Sequence, residues 1–116
     1  MTRLICVLSF VGAAFMLASV TAQDNDEFLQ QGKEVYDYWC INCHGSFPGT
    51  PGTQALEVLY GGLKPADLEQ RTDLPAELVR LYVRTGVSIM PTFRKTEISD
   101  EDLEALMAYL AFDYQP

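Results

Sequence analysis

Cys40-Ile41-Asn42-Cys43-His44 is the stretch on which the reading of this chain turns. Two cysteines three apart, with a histidine directly after the second, form the attachment signature of c-type haem. The spacing has a physical reason. On a helical turn, positions i, i+3 and i+4 share a face. Cys40 and Cys43 can therefore both reach the two vinyl groups on one edge of a porphyrin and form thioethers. His44, four residues after Cys40, can turn its imidazole under the plate as the proximal iron ligand. A Cys-x-x-Cys pair alone is shared with redox dithiols and zinc sites; the following histidine narrows the choice.

Upstream of the motif the pattern is helical. Asp24 or Asn25 can cap a first helix, with Asp26 and Glu27 in its first turn, where the helix dipole favours negative charge. Phe28, Leu29, Gly32, Val35, Tyr36 and Trp39 recur at three-and-four spacing. Gly32 costs about 1 kcal/mol relative to Ala inside a helix, a cost compatible with close approach of another helix. Residues 1–22 read as a secretory signal peptide. Arg3 is the only charge before Asp24, Leu4 to Val20 is an apolar run, and Val20-Thr21-Ala22 presents short side chains before a break at Gln23. The competing reading is an uncleaved membrane anchor, because the uncharged stretch is nearly long enough to span. Cys6 lies inside this segment and reads as a discarded apolar residue. The expected division is a leader over 1–22 and one domain over 23–116.

Downstream, Gly45-Ser46-Phe47-Pro48-Gly49-Thr50-Pro51-Gly52 is turn chemistry without periodicity. A metal-bound histidine usually donates its second ring N–H to an acceptor. The Pro51 carbonyl, or that of Pro48, is a candidate. Gln54 to Tyr60 predicts a short helix stopped by Gly61-Gly62, Pro65 to Arg71 another, and Pro75 to Arg84 a third that ends at Gly86. Arg71, Arg80 and Arg84 are candidates for haem propionates, with solvated salt bridges as the ordinary alternative.

Thr85-Gly86-Val87-Ser88-Ile89-Met90-Pro91-Thr92-Phe93 follows. Pro91 has no backbone N–H and biases Ile89-Met90 away from helix, which predicts an extended strap. Such a strap can deliver the Met90 thioether to the open face of the iron as distal ligand; core filler is the usual fate of methionine. His44 is the only histidine in the chain, and Met107 sits on the apolar stripe of the last helix. Met90 is therefore the best-placed sixth ligand. Ser99 caps the final helix, with Asp100, Glu101 and Asp102 in its first turn and Leu103, Leu106, Met107 and Leu110 as its buried stripe. This helix is expected to cross the first near Gly32, with Tyr36 and Tyr109 in the contact. No strand alternation appears, so the fold class is all-α.

Composition sets limits. The chain has 116 residues with 16 Asp plus Glu against 8 Lys plus Arg, a formal net charge of −8. That balance disfavours nucleic acid and anionic lipid and suits a partner with a basic patch; a merely solvated surface explains it equally well. A domain of about 94 residues after cleavage buries a limited core, and a covalent cofactor is a common remedy. Cys40 and Cys43, the only cysteines left after cleavage, could instead form a disulfide in an oxidising compartment.

The order of helix ending in Cys-x-x-Cys-His, looped middle, Met-Pro strap and closing helix with Tyr109-Leu110 resembles class I c-type cytochromes. The resemblance implies one covalent haem c in a central crevice of the class I cytochrome c fold, thioethers at Cys40 and Cys43, His44 as proximal and Met90 as distal iron ligand, and attachment outside the cytoplasm, in the periplasm. Gly52-Thr53-Gln54-Ala55-Leu56 and Met90-Pro91-Thr92-Phe93-Arg94-Lys95-Thr96-Glu97 are similar to the small cytochrome partners of covalent-flavin alkylphenol-oxidising enzymes, such as para-cresol methylhydroxylase or eugenol hydroxylase. The function implied is single-electron transfer without an enzyme activity of its own. A flavoprotein dehydrogenase or hydroxylase would be the donor, a copper or haem protein the acceptor, and membrane insertion would end with leader cleavage. Arg94 and Lys95 beside the strap could form a local basic docking patch. The alternatives are a free shuttle to a terminal oxidase, a haem enzyme or gas sensor with an open distal site, and a thiol oxidoreductase, although the last usually sits on a βαβ pattern that is absent here.

Overall fold

A single long helix, α1 (Ser9–Trp39), leads into the cysteine motif. The structure is a computed structural model that describes residues 9–111 and residue 114, with side chains from residue 24 onward. Cys6 and the first part of the leader expected over 1–22 lie outside the described residues. The helix start expected at Asp24 or Asn25 is not observed. No Gly or Pro lies between Gly12 and Gly32. Asp and Asn cost only a fraction of a kcal/mol within a helix, so the ladder runs through them. Cys40 extends it by one hydrogen bond, from its N–H to the Tyr36 carbonyl (2.9 Å). Next comes the short α2 (Ile41–His44), which puts the motif on a helical turn as its spacing predicts.

The loop after His44 is tied down from within. The Thr50 and Thr53 hydroxyls both donate to the Gly45 carbonyl, at 3.0 and 2.9 Å. α3 (Pro51–Tyr60) starts three residues earlier than the sequence suggests, because Pro51 is pre-set for a first helical turn. It ends at Gly61, whose φ of +55° is left-handed. The helix expected over 65–71 shrinks to one 3₁₀ turn, Leu68–Gln70. The Asp67 carboxylate takes hydrogen bonds from the Glu69 N–H (3.0 Å) and the Gln70 side chain (2.9 Å). These local bonds compete with a helical ladder. α4 (Ala76–Thr85) and α5 (Asp100–Leu110) form much as expected, capped by Pro75 and Ser99.

α1 and α5 cross at Gly32. A Cβ there would lie 2.0 Å from the Ala105 carbonyl oxygen, so only glycine permits the approach. Tyr36 and Tyr109 meet in the contact, with ring centroids 6.0 Å apart. Tyr36, Ile98, Leu103, Leu106 and Met107 are the largest fully buried side chains. Among the described residues there is no strand, only one isolated bridge between Val87 and Met90. The fold is all-α. No helix among the described residues is long and apolar enough to cross a membrane.

Candidate functional site

α1 and α2 present Cys40 and His44, and α4 leads directly into the strap that carries Met90. The strap is held by its backbone. It is not extended as expected but closes as a tight turn: Val87 and Met90 exchange N–H···O bonds at 2.9 and 3.2 Å around a left-handed Ser88 (φ +54°), and the Phe93 N–H donates to the Val83 carbonyl (2.9 Å). Gly86 turns the chain with φ +69°, and a Cβ there would lie 2.7 Å from the Met90 carbonyl oxygen. Arg84 fastens the far end. Its guanidinium donates to the carbonyls of Phe93, Ile98 and Ser99 and to Asp100, at 2.9–3.1 Å. Arg84 was a candidate propionate partner; its donors are instead occupied by the segment between the strap and α5. Arg80 is likewise taken, by Glu77 and Glu104.

Cys40, His44 and Met90 line one cavity of about 140 Å³. Its walls are otherwise mostly apolar, with Leu56, Leu68, Leu74, Leu78, Val83 and Leu106 among them. Cys43 is exposed on α2 and does not contribute to the lining. Tyr60 and Arg71 line the same space. Arg71 is the buried cation of the described residues, its side chain 3% exposed. It donates to the Tyr60 hydroxyl (2.7 Å) and to Asp73. No sequence signal distinguishes Arg71 from the other two arginines, because its burial depends on the packing of the 61–75 segment. A second hollow, about 280 Å³, is lined by polar groups such as Glu57, Lys64 and Asp67 and holds none of the motif residues.

The electrostatics suit ligation better than thiol chemistry. Burial pushes the Cys40 thiol up to about 12. Reactive dithiols work the other way, with a depressed thiol pKa, so the Cys40 environment favours ligation over thiol exchange. Burial lowers the His44 pKa and so favours the neutral imidazole that a metal requires. His44 Nδ1 is buried without a hydrogen-bond partner. Neither the Pro51 nor the Pro48 carbonyl accepts from it, contrary to expectation. Pro51 belongs to the first turn of α3, and Gly52 packs against this edge of the ring, where a Cβ would lie 2.9 Å from Cε1 and 3.0 Å from Nδ1. The histidine is instead anchored through its backbone, whose carbonyl accepts from the Tyr36 hydroxyl (2.9 Å).

A family model described as "Cytochrome C oxidase, cbb3-type, subunit III" matches residues 27–110. The chain belongs to this family. It is therefore a class I c-type cytochrome with the all-α cytochrome c fold, a haem-binding electron-transfer protein. Comparisons with curated proteins and with solved structures give no significant match. The residues of the cavity fit the cofactor that the family implies. A flat apolar group suits the leucine- and valine-lined walls, the neutral imidazole and the thioether of Met90 are iron-ligand types, and Arg71 offers a buried cation to carboxylates.

Proposed function

We propose that this cytochrome carries single electrons on one haem, held through thioethers at Cys40 and Cys43 with His44 and Met90 as the two axial ligands. The observation that carries this reading is that Met90, distant in sequence from the Cys40–His44 motif, lines one largely apolar cavity together with Cys40 and His44. When bound, the haem supplies a reversible one-electron couple. The chain's own residues hold its position and exclude water. The exposed Cys43 suits attachment at an edge that faces solvent, and Arg71 with Tyr60 would meet the propionates. With both axial positions protein-supplied, no site is left for substrate, which sets the carrier apart from an oxygen- or gas-binding haem protein. Export follows from the leader over 1–22 with cleavage before Gln23, and thioether attachment goes with a periplasmic site of work. By resemblance, the donor is a covalent-flavin dehydrogenase or hydroxylase acting on alkylphenols, with the cytochrome as its subunit or partner. The acceptor is a copper or haem protein.

The test is Met90→Ala in protein co-expressed with a haem-ligation system. The expected result is loss of the weak long-wavelength ferric band and a fall in reduction potential on the order of 100 mV, since axial ligands set potentials over about 0.8 V. An unchanged spectrum and potential would rule out Met90 as ligand. A colourless wild-type product would rule out haem attachment altogether.

A further inference from the structure

The strap that carries Met90 does little to hold itself closed. Ser88 sits at φ +54°, a left-handed conformation that costs energy for any residue with a Cβ. The hydrogen-bonded pair Val87 and Met90 closes a single turn. Ile89, at the tip, is 74% exposed and adds little burial. The fastenings lie outside the turn. The Phe93 N–H donates to the Val83 carbonyl, the Thr92 hydroxyl to the Thr85 carbonyl (3.1 Å), and Arg84 reaches across the rest.

Arg84 stands in the last turn of α4, directly before the strap. Its Nη1 donates to the carbonyls of Phe93 (3.1 Å) and Ile98 (2.9 Å), and its Nη2 to the Ser99 carbonyl (3.1 Å) and the Asp100 carboxylate (3.0 Å). One guanidinium thus joins carbonyls 9, 14 and 15 residues downstream. Phe93 closes the strap, and Ile98, with no exposed surface, anchors the entry to α5. A planar fork with several donors can serve all these acceptors together; an ammonium is a single point donor. The neighbouring cations act more locally. Lys95 pairs with Asp100 and Arg94 with Glu97, so the basic docking patch expected there is matched by carboxylates of its own segment.

We propose that Arg84 is a positioning residue for Met90: its guanidinium ties the strap to the end of α4 and the start of α5, and so sets how often the Met90 thioether leaves the iron. The assignment rests on Met90 being the distal ligand. An external ligand binds only those molecules in which the strap is open, so its apparent affinity reports the open fraction. Loss of the Arg84 fork raises that fraction without altering the thioether or the cavity wall.

The test uses the haem-loaded protein in its ferric form, titrated with imidazole while the weak long-wavelength band is followed. Arg84→Gln should tighten the apparent imidazole affinity about tenfold or more, because several hydrogen bonds to one charged group are lost together. Arg84→Lys keeps the charge but not the fork, and should bind imidazole nearly as tightly as Arg84→Gln. Residue-resolved amide exchange should show the Met90 and Phe93 N–H groups exchanging faster in both variants, with the Cys40 N–H, bonded to the Tyr36 carbonyl, unchanged. Two controls separate this from general loosening. Arg80→Gln removes a guanidinium one turn earlier, paired with Glu77 and Glu104 and not with the strap. Gly32→Ala strains the α1–α5 crossing instead. Both should keep the wild-type imidazole affinity. Unchanged affinity in Arg84→Gln, wild-type behaviour of Arg84→Lys, or an equal gain in either control would overturn the proposal. If Arg84→Gln fails to accumulate, Arg84→Lys against Gly32→Ala decides it. Failure of the ligand reading shows separately: the wild-type protein would lack the band, Met90→Ala would leave imidazole affinity unchanged, and the assignment of Arg84 would fall with it.

Discussion

Tyr36 has no exposed surface, so its hydroxyl must find a partner inside, and the partner is the carbonyl of His44. Tyr36→Phe should cost about 1–2 kcal/mol, measured by denaturant unfolding of otherwise identical proteins, because a carbonyl at the end of α2 loses its donor. A second side chain acts through charge. The Gln31 side chain and the Ser99 hydroxyl both donate to Asp102, and they hold its carboxyl below the usual range. A depressed native pKa stabilises the fold above the unfolded carboxylate value, about 3.9, and that contribution disappears as pH falls through the lower native value. Asp102→Asn should therefore reduce the acid-induced loss of stability below about pH 4, measured by thermal melts across that range, with little change in slope near neutrality. Ser99 and Asp102 are legible in the sequence as a cap because their relation spans three residues. Gln31, 71 positions away, is not.

At the scale of elements, the α1–α5 crossing is the joint that fixes the fold. Gly32→Ala should destabilise by about 2 kcal/mol or more despite the better helix propensity of alanine, since the added carbon meets the Ala105 backbone rather than a movable side-chain end. Equilibrium unfolding of the variant checks it; a gain in stability would show that α5 shifts freely. The crossing is readable in the sequence because a glycine on an amphipathic helix face marks where a neighbouring backbone comes close, and because Tyr36 follows one turn later. The segment 61–75 departs from its sequence pattern. Its helix formers suggest a helix over 65–71, yet Asp67 satisfies nearby donors itself and leaves a single 3₁₀ turn. Short helices draw most of their stability from packing, and propensity summed over seven residues cannot foresee it.

Across the whole molecule, the cavity is an opening in a small core. The leucine- and valine-lined cavity of about 140 Å³ is apolar surface that a flat apolar group would cover. The Cys40→Ala/Cys43→Ala protein, prepared without haem, should thus be less stable than the haem-loaded form by on the order of a few kcal/mol, read from denaturant unfolding; equal stabilities would mean that the cavity closes on its own. This difference belongs to no single residue. It arises where α2, α3, α4, α5 and the strap face one another.

The chain's order of residues was sufficient for whatever depends on neighbours within a turn or two: the Cys-x-x-Cys-His turn, the break in helix before Pro91, the glycine stops, the Ser99 cap and the all-α class. Backbone geometry and capping act over these short spans, so identity and spacing alone encode them. Tertiary packing decided which arginine is buried beside the cavity, which one staples the strap, and that the His44 carbonyl accepts from the Tyr36 hydroxyl. Each of these needs groups distant in sequence to meet, and burial and pairing have no local signature until the chain has folded around them.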